Sequence, residues 1–563
     1  MRLTRNIMNH FSKAGVTKNI SRTAFKMPFH HTTTFSSGRL IPFFMQECVP
    51  GDSVQVNSTA MLARMQTPLV PVMGTAILDY WYFFVPTRLV WDNFKEFMGE
   101  NTHGAWDTNL PDHRIPVVDT RNTPVTVSSS AAYLGLPVGS YGTISAIPFR
   151  SIRQVWNDWF RSTALQDPLL INKGDTEPNY IVGPKNFDLL PVCKFADYFT
   201  TALPSPQYGD PVSIGLAGLA PVQTMTQRMD EQMMANQKGL IWASLGLYDD
   251  IVGNSYPLSA VADGNVNSSA TTYQVATIAN APTATMDHYT FFPVNQWVDL
   301  SSVGAVTIND LRIAFQIQKY KETQARGGSR YTEILESIWS VTSPDARLQR
   351  SEYIGGDRTV IGMQQVLQTS ATTLDSTPQG NASGFSKTVT KGGGFTYAVP
   401  EHGLVLGFCS VRPVHSYQQG VDRYWKKRDV MDFYNPLLAN IGETPVYQYE
   451  IFATANNSDQ DDPNVPVFGY QEAWADYRWK RDYVSGEMLS ASDNSLDIYH
   501  YADDYNTAPT LSNGWISEDP KLIDRTLAVS SGVSDQFRCD IFVDLNMIRP
   551  MPAYSIPGLI DHA

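Results

Sequence analysis

The chain has 563 residues, of which 17% are charged and 12% aromatic, and its formal net charge is −13. That balance excludes disorder, which needs low hydrophobicity with high charge, and excludes a chain that is basic throughout for nucleic-acid binding. With 38 glycines and 35 prolines, turns are frequent, and sparse charge suits an all-β protein with long loops and much surface buried against partners.

Residues 1–46 carry seven basic residues, Arg2, Arg5, Lys13, Lys18, Arg22, Lys26 and Arg39, and the first acid is Glu47. Composition leaves two readings of this basic arm on an acidic body. It is a tail ordered by packing, or it contacts nucleic-acid phosphates, with Phe11, Phe25, Phe29 and Phe35 placed to stack on bases. His30-His31 has no further metal ligand near it in sequence and reads as a polar pair in an extended arm. A first strand is expected near Leu40, and Pro50-Gly51-Asp52 marks a turn. Val54, Val56, Met61, Ala63 and Met65 alternate with more polar neighbours, as in a strand.

The densest apolar run is Ala76 to Val85, AILDYWYFFV. So many aromatic and β-branched residues predict a central strand with both faces covered. Trp81 and Phe83 point to one side, Tyr82 and Phe84 to the other. Pro86 stops the strand because it has no N–H to give. Leu89-Val90, Phe94 and Phe97-Met98 then recur at helical spacing, with Gly99 as a C-terminal cap. Tyr80, Trp81, Phe83, Phe84, Pro86 and Trp91 are the structural signature.

Residues 101–145 read as loop. Phe149, Ile152, Trp156, Trp159 and Phe160 fall on one helical face. Pro204 and Pro206 force an extended path. Between Ile251 and Trp297 there is no Lys or Arg, and residues 222–298 form an insertion of distinct composition. Met225, Met229, Met233 and Met234 at helical spacing are core packing rather than a binding surface. Thr307 and Asp310 make a box-like helix start. Ile308, Leu311, Ile313, Phe315, Ile317 and Tyr320 cover more than one face, which predicts a largely buried helix. Tyr331, Ile334, Leu335, Ile338 and Trp339 give a second helix one clean stripe. Residues 325–330, ARGGSR, suit an interhelical turn better than a phosphate loop.

Residues 357–402 read as an exposed loop or hairpin. Leu404 to Cys409 predicts a buried strand ending near Pro413. Asp459, Asp461 and Asp462 lack the glycine and distal glutamate of a calcium loop; a solvated turn is expected there, and likewise at Asp503-Asp504. Phe537, Cys539, Ile541, Val543, Leu545 and Met547 alternate with polar residues, the clearest strand by period. No nucleotide, zinc-protease or nucleophile motif is present, so no catalytic residue, metal or cofactor is expected. Cys48, Cys193, Cys409 and Cys539 lie too far apart in sequence for a metal motif and read as small buried hydrophobes. No secretory leader or membrane span is expected.

Several segments carry a family resemblance: DYWYFFVPTRLVWDNFKEFMGE at 79–100, AIPFRSIRQVWNDWFR at 146–161, FADYFTTALPSPQYGDPV at 195–212, the stretch from Ile308 to Gly356, FGYQEAWADYRWKRDYVSGEM at 468–488 and RPMPAYSIPGLIDHA at the end. They resemble the major capsid proteins of gokushoviruses, small icosahedral phages of the Microviridae with single-stranded DNA. The resemblance implies a mainly β fold: an eight-stranded antiparallel viral jelly-roll β-barrel with long loop insertions and a few short helices. It implies an interior arm at 1–46, a core at 47–221 and 299–563, and a threefold protrusion at 222–298. It implies a homo-oligomer, a T=1 shell of sixty copies, around single-stranded DNA touched by Arg2, Arg5, Lys13, Lys18, Arg22 and Lys26. The implied partners are a small basic DNA-binding protein, an internal scaffolding protein, a DNA pilot protein and a bacterial host surface receptor. The implied location is the virion, after assembly in the host cytoplasm. The competing reading is a secreted or cytosolic β-sandwich, either a carbohydrate-active enzyme suggested by aromatics and scattered acids, or an adhesin suggested by the insertion.

Overall fold

The computed structural model describes residues 21–100, 111–177, 185, 187–209, 212, 222–224, 242–245, 290–293, 296–298, 308–328, 331–370, 379–454 and 465–554. The architecture is mainly β, with antiparallel sheets. Eleven strands build two of them: β1 (Thr23–Lys26), β2 (Phe29–Phe35), β3 (Arg39–Cys48), β4 (Ser53–Met65), β5 (Ala76–Pro86), β6 (Leu190–Pro191), β7 (Glu352–Val360), β8 (Thr388–Gly392), β9 (Phe395–Ala398), β10 (Gly403–Pro413) and β11 (Phe537–Arg549).

In the first sheet β11 lies between β4 on one side and β1 and β2 in succession on the other, and β4 carries β8 and β9 on its far edge. The second sheet runs β7-β5-β10-β3-β6. Alternation explains why both form. Phe537, Cys539, Ile541, Val543, Leu545 and Met547 are all buried, as the period predicts. On β4 the buried phase shifts from Val54 and Val56 to Thr59, Met61, Ala63 and Met65. The register absorbs this between Val543 and Leu545, where β4 spends three residues against two of β11. An extra residue in one strand is a β-bulge, and it returns the apolar side chains to the core face.

The two sheets face each other across one core. Tyr80, Tyr82 and Phe84 of β5 meet Phe43 and Phe44 of β3, Val405 and Cys409 of β10, and the inward residues of β4 and β11. The opposite face of the second sheet is also covered. There Phe83 and Val85 pack with Leu404, Leu406 and Phe408 against helix α3 (Ile147–Val155) and the turn around Trp91. The central, doubly covered strand expected at 76–85 is therefore observed, with its alternation as predicted.

Differences have local causes. Pro86 is itself the last paired residue, opposite Gly403; an end position needs no proline N–H. The single helix expected after it is two short ones, α1 (Thr87–Val90) and α2 (Phe94–Phe97), because Trp91 adopts an extended conformation between them. Residues 101–145 are not all loop, since Val117–Asp119 pairs with Thr143–Ser145. Within 357–402, β8 and β9 join the first sheet and Met363–Leu367 pairs with Ala382–Ser386, so this stretch is more ordered than its Gly- and Thr-rich composition suggests. Within 1–46, Thr23–Lys26 and Phe29–Phe35 are already strands, so strand begins before the position expected near Leu40.

Two compact units divide the chain, Met1–Gly209 with Lys321–Ala563, and Asp210–Tyr320. In the second, Val222–Thr224 pairs with Gln296–Val298 and Trp242–Leu245 with Thr290–Pro293. The methionines at 225–234, the Thr307 cap and the acidic turn at 459–462 lie outside the described residues. Helix α4 (Ile308–Gly327) is followed by α5 (Tyr331–Trp339), and Gly328 at φ +90° suits the expected interhelical turn. No helix among the described residues is long and apolar enough to cross a membrane.

Candidate functional site

The signature residues are a structural lock. Tyr82 shares a 2.8 Å hydrogen bond between its hydroxyl and that of Thr59, tying the second sheet to the first through the core. Phe83 is ringed by Trp159, Phe160, Tyr353 and Phe408 at centroid distances of 5.6 to 6.1 Å. Phe84 packs on Tyr397 at 5.2 Å, and Trp81 on Phe160 at 5.0 Å. The Tyr80 ring sits against Gly393, at φ +65°, where a Cβ would come within 2.4 Å of the tyrosine oxygen; only glycine fits that turn between β8 and β9. Trp91 donates its indole N–H to Asp175 at 2.7 Å. Behind it, the fully buried Arg150 of α3 pairs with Glu177 at 2.6 Å and donates to the carbonyls of Val90, Gly174 and Thr176. This clamps the turn that leaves β5.

Of the basic residues, Arg2, Arg5, Lys13 and Lys18 lie outside the described residues. Arg22 is exposed and donates to the Gly51 carbonyl. Lys26 is exposed on β1, opposite Asn546. His30 contacts Asp540 at 2.7 Å and His31 the Phe43 carbonyl at 3.2 Å, so the pair belongs to a strand.

Chemistry of the enzymatic kind finds little support. A cleft of about 760 Å³ is lined by hydroxyls and an amide with Arg39, Lys185, Asp188 and Asp535. Asp535 already accepts from the hydroxyls of Thr34 and Ser36, and Asp188 from the Lys185 backbone. Burial pushes the thiols of Cys48 and Cys539 up to about 12, and raises Cys193 and Cys409 as well, so none is a ready thiolate nucleophile. Among the described residues no cluster of His, Cys, Asp and Glu could hold a metal ion.

Two features escaped the sequence. Asp503, expected in a solvated turn, is buried. It lies 2.9 Å from His415 and 3.5 Å from Lys194, and accepts from Tyr505 at 2.7 Å. Glu518 holds the other side of the His415 ring at 2.8 Å. Burial pulls the imidazole down, but Glu518 and Asp503 outweigh it and raise the pKa to about 9. Sequence separation of about a hundred residues hid this cluster.

The second is a field of uncovered apolar side chains. Tyr424, Trp425, Val430, Met431 and Leu437 are exposed, Leu437 at 92% and Trp425 at 74%. Tyr434, Trp474 and Tyr477 form a ring cluster at 5.7 to 6.3 Å beside them, and Lys427 stacks over Tyr477 at 4.0 Å. Separately, on α4, expected to be largely buried, Leu311, Ile313, Phe315, Ile317 and Tyr320 are exposed, and on α5 so are Tyr331 and Trp339. Periodicity reports that a face seeks burial, not whether the cover lies in the same chain. Soluble monomers rarely leave large apolar patches in water, so the 424–437 residues, taken by themselves, mark an interaction surface.

Residues 14–559 match the family model of the phage capsid protein, F protein. The chain belongs to this capsid protein family. It is 35% identical to capsid protein VP1 of Spiroplasma virus 4 over 96% of both chains. Identity is 34% to VP1 of Bdellovibrio phage phiMH2K, over 96% of this chain and 95% of that one. It is 33% to VP1 of Chlamydia phage 1, over 98% of each. The gokushovirus-like resemblance of the signature segments thus extends over the full length. The chain is a major capsid protein of a small phage and a component of the virion.

Proposed function

We propose that sixty copies of this chain close into a T=1 icosahedral shell around a single-stranded DNA genome. The observation that carries this is the uncovered field on 424–437. A closed point-group assembly buries the same patches on every copy, and apolar cores with aromatics enriched are typical of such interfaces. Strand order supports a viral jelly roll. If β1 with β2 and β8 with β9 each fill one edge position, the first sheet reads β2-β11-β4-β8 and the second β3-β10-β5-β7. Those are the two four-stranded sheets that a doubled Greek key produces.

On this reading residues 1–20 continue a basic arm toward the genome through Arg2, Arg5, Lys13 and Lys18, and the 222–298 insertion protrudes at the threefold axes and takes part in host attachment. The separate unit at Asp210–Tyr320 supports an insertion of about that extent. A small basic DNA-binding protein, a scaffolding protein, a pilot protein and a host receptor complete the proposed partners, with assembly in the host cytoplasm. The chain itself performs no catalysis. Electron microscopy of the purified full-length protein tests the proposal: closed particles of one size are expected, whereas a stable monomer or dimer at all concentrations contradicts it.

A further inference from the structure

We propose that the outer face of the first sheet is a binding platform for single-stranded nucleic acid. The proposal rests on the shell reading, and deepens it by naming the surface that meets the genome within the folded body. Five rungs cross this face. On the first, Thr34, Arg538 and Arg64 are direct cross-strand neighbours; on the third stand His30, Phe542, Ala60 and Lys391; on the fifth, Lys26, Asn546 and Gln55. Arg64, Arg538, Lys391 and Lys26 are all exposed, and the Phe542 ring is 42% exposed. Cationic rungs recur every four residues along β11, about 13 Å apart at the rise of a strand.

Three observations single this face out. First, Arg64 and Arg538 are set directly opposite each other. Like charges in that position destabilise a sheet, and among the described residues neither has a carboxylate at salt-bridge distance; nor does Lys391 or Lys26. Second, the two acids of the face are already engaged: Asp540 by the Thr32 hydroxyl at 2.9 Å and by His30 at 2.7 Å, Asp544 by the Asn57 amide at 3.1 Å. Third, the chain carries a net charge of −13, and four cations without a carboxylate partner among the described residues, on one face of an acidic chain, complement a polyanion. An exposed aromatic ring among spaced cations is how single strands are held without sequence preference: phosphates meet the cations and bases stack on the ring.

The test uses the full chain, a fluorescein-labelled oligothymidylate and anisotropy across a salt series. Each phosphate contact contributes about 0.7 to the salt slope for single strands. The double variant Arg64→Gln/Arg538→Gln is expected to lose about 1.4 from that slope. Its thermal midpoint without DNA should stay level or rise, since a repulsion is removed. Phe542→Ala should weaken binding roughly fivefold or more with the slope unchanged, because stacking releases no counterions. Unchanged affinity and slope in the folded double variant overturn the proposal and leave the arm as the site. Unchanged binding with lost particle formation also overturns it, and makes the face a contact between copies. Particles counted by electron microscopy keep the two claims apart: shells with unaltered DNA binding sink this inference alone, while absence of shells from the unsubstituted chain sinks the shell reading.

Discussion

Two aromatic-rich stretches meet opposite fates. In β5, Tyr80, Tyr82, Phe83 and Phe84 are almost fully buried, whereas at 424–437 Tyr424, Trp425, Met431 and Leu437 stand in water. The difference lies in pattern and neighbours. The β5 run holds a single charge, Asp79, which is neutralised by Arg358 and Arg412, and its dense apolar run forms a strand that pairs on both edges, with β7 and β10. In RYWKKRDVMDFYNPLL, charges and a proline interrupt every apolar pair, and only single turns of 3-10 helix form. A ladder hides the first stretch within its own chain; the second has no ladder, and on the shell reading proposed above it is covered by another copy.

The sharpest way to break this comparison is to truncate the ladder. Phe83→Ala and Phe84→Ala should each cost about 3–5 kcal/mol, a large share of ordinary domain stability, and give insoluble or non-assembling protein. Solubility and thermal melting read this directly; assembly at full yield would show that face of β5 to be dispensable.

Next in size is the polar lock at His415, which also acts within the subunit. Its folded pKa of about 9 lies above the ordinary imidazole value of about 6.5. Its contribution is therefore fully present below about pH 6.5 and is lost as pH rises through about 9. The shift corresponds to about 3 kcal/mol. The groups facing the ring are Asp503 and Glu518, with Lys194 and Tyr505 on Asp503 and Arg412 near Glu518. Melting of the unassembled subunit should fall between pH 6.5 and 9.5 and that fall should shrink in His415→Gln; equal slopes would place the alkaline lability elsewhere.

Substitution of the uncovered field should separate folding from assembly. Trp425→Ser with Leu437→Ser should change subunit stability by no more than about 0.5 kcal/mol, as surface changes do, yet cost about 2 kcal/mol or more per contact if they are interface anchors. Sedimentation should find folded subunits and few particles. The smallest effect is expected from deleting 222–298 behind a short Gly/Ser linker, because insertions tolerate change where strands do not; circular dichroism should keep its β-signature, and complete unfolding would put the insertion in the core.

Much of the sheet framework was legible. The buried phases of β11 and of either half of β4 follow from alternation, β5 and β10 from their dense apolar runs, and α3 from its apolar stripe. What stayed hidden needed partners distant in sequence. Asp503 looks solvated until His415 and Lys194 are placed beside it. Short β8 and β9 have too few residues to show a period, and they earn their order by pairing with β4. The α4 residues signal burial correctly but not by whom. Of the genome-contact candidates, only Arg22 and Lys26 fall within the described residues, and Arg64 and Arg538 become a pair only through the β4–β11 register.

The central claim, that neighbouring copies cover the aromatic field, is tested most directly by hydrogen exchange over residues 423–438 in isolated subunits and in assembled particles. The account predicts fast exchange in the subunit and marked protection in the particle, while β5 is protected in both. Equal exchange of 423–438 in the two states would contradict it.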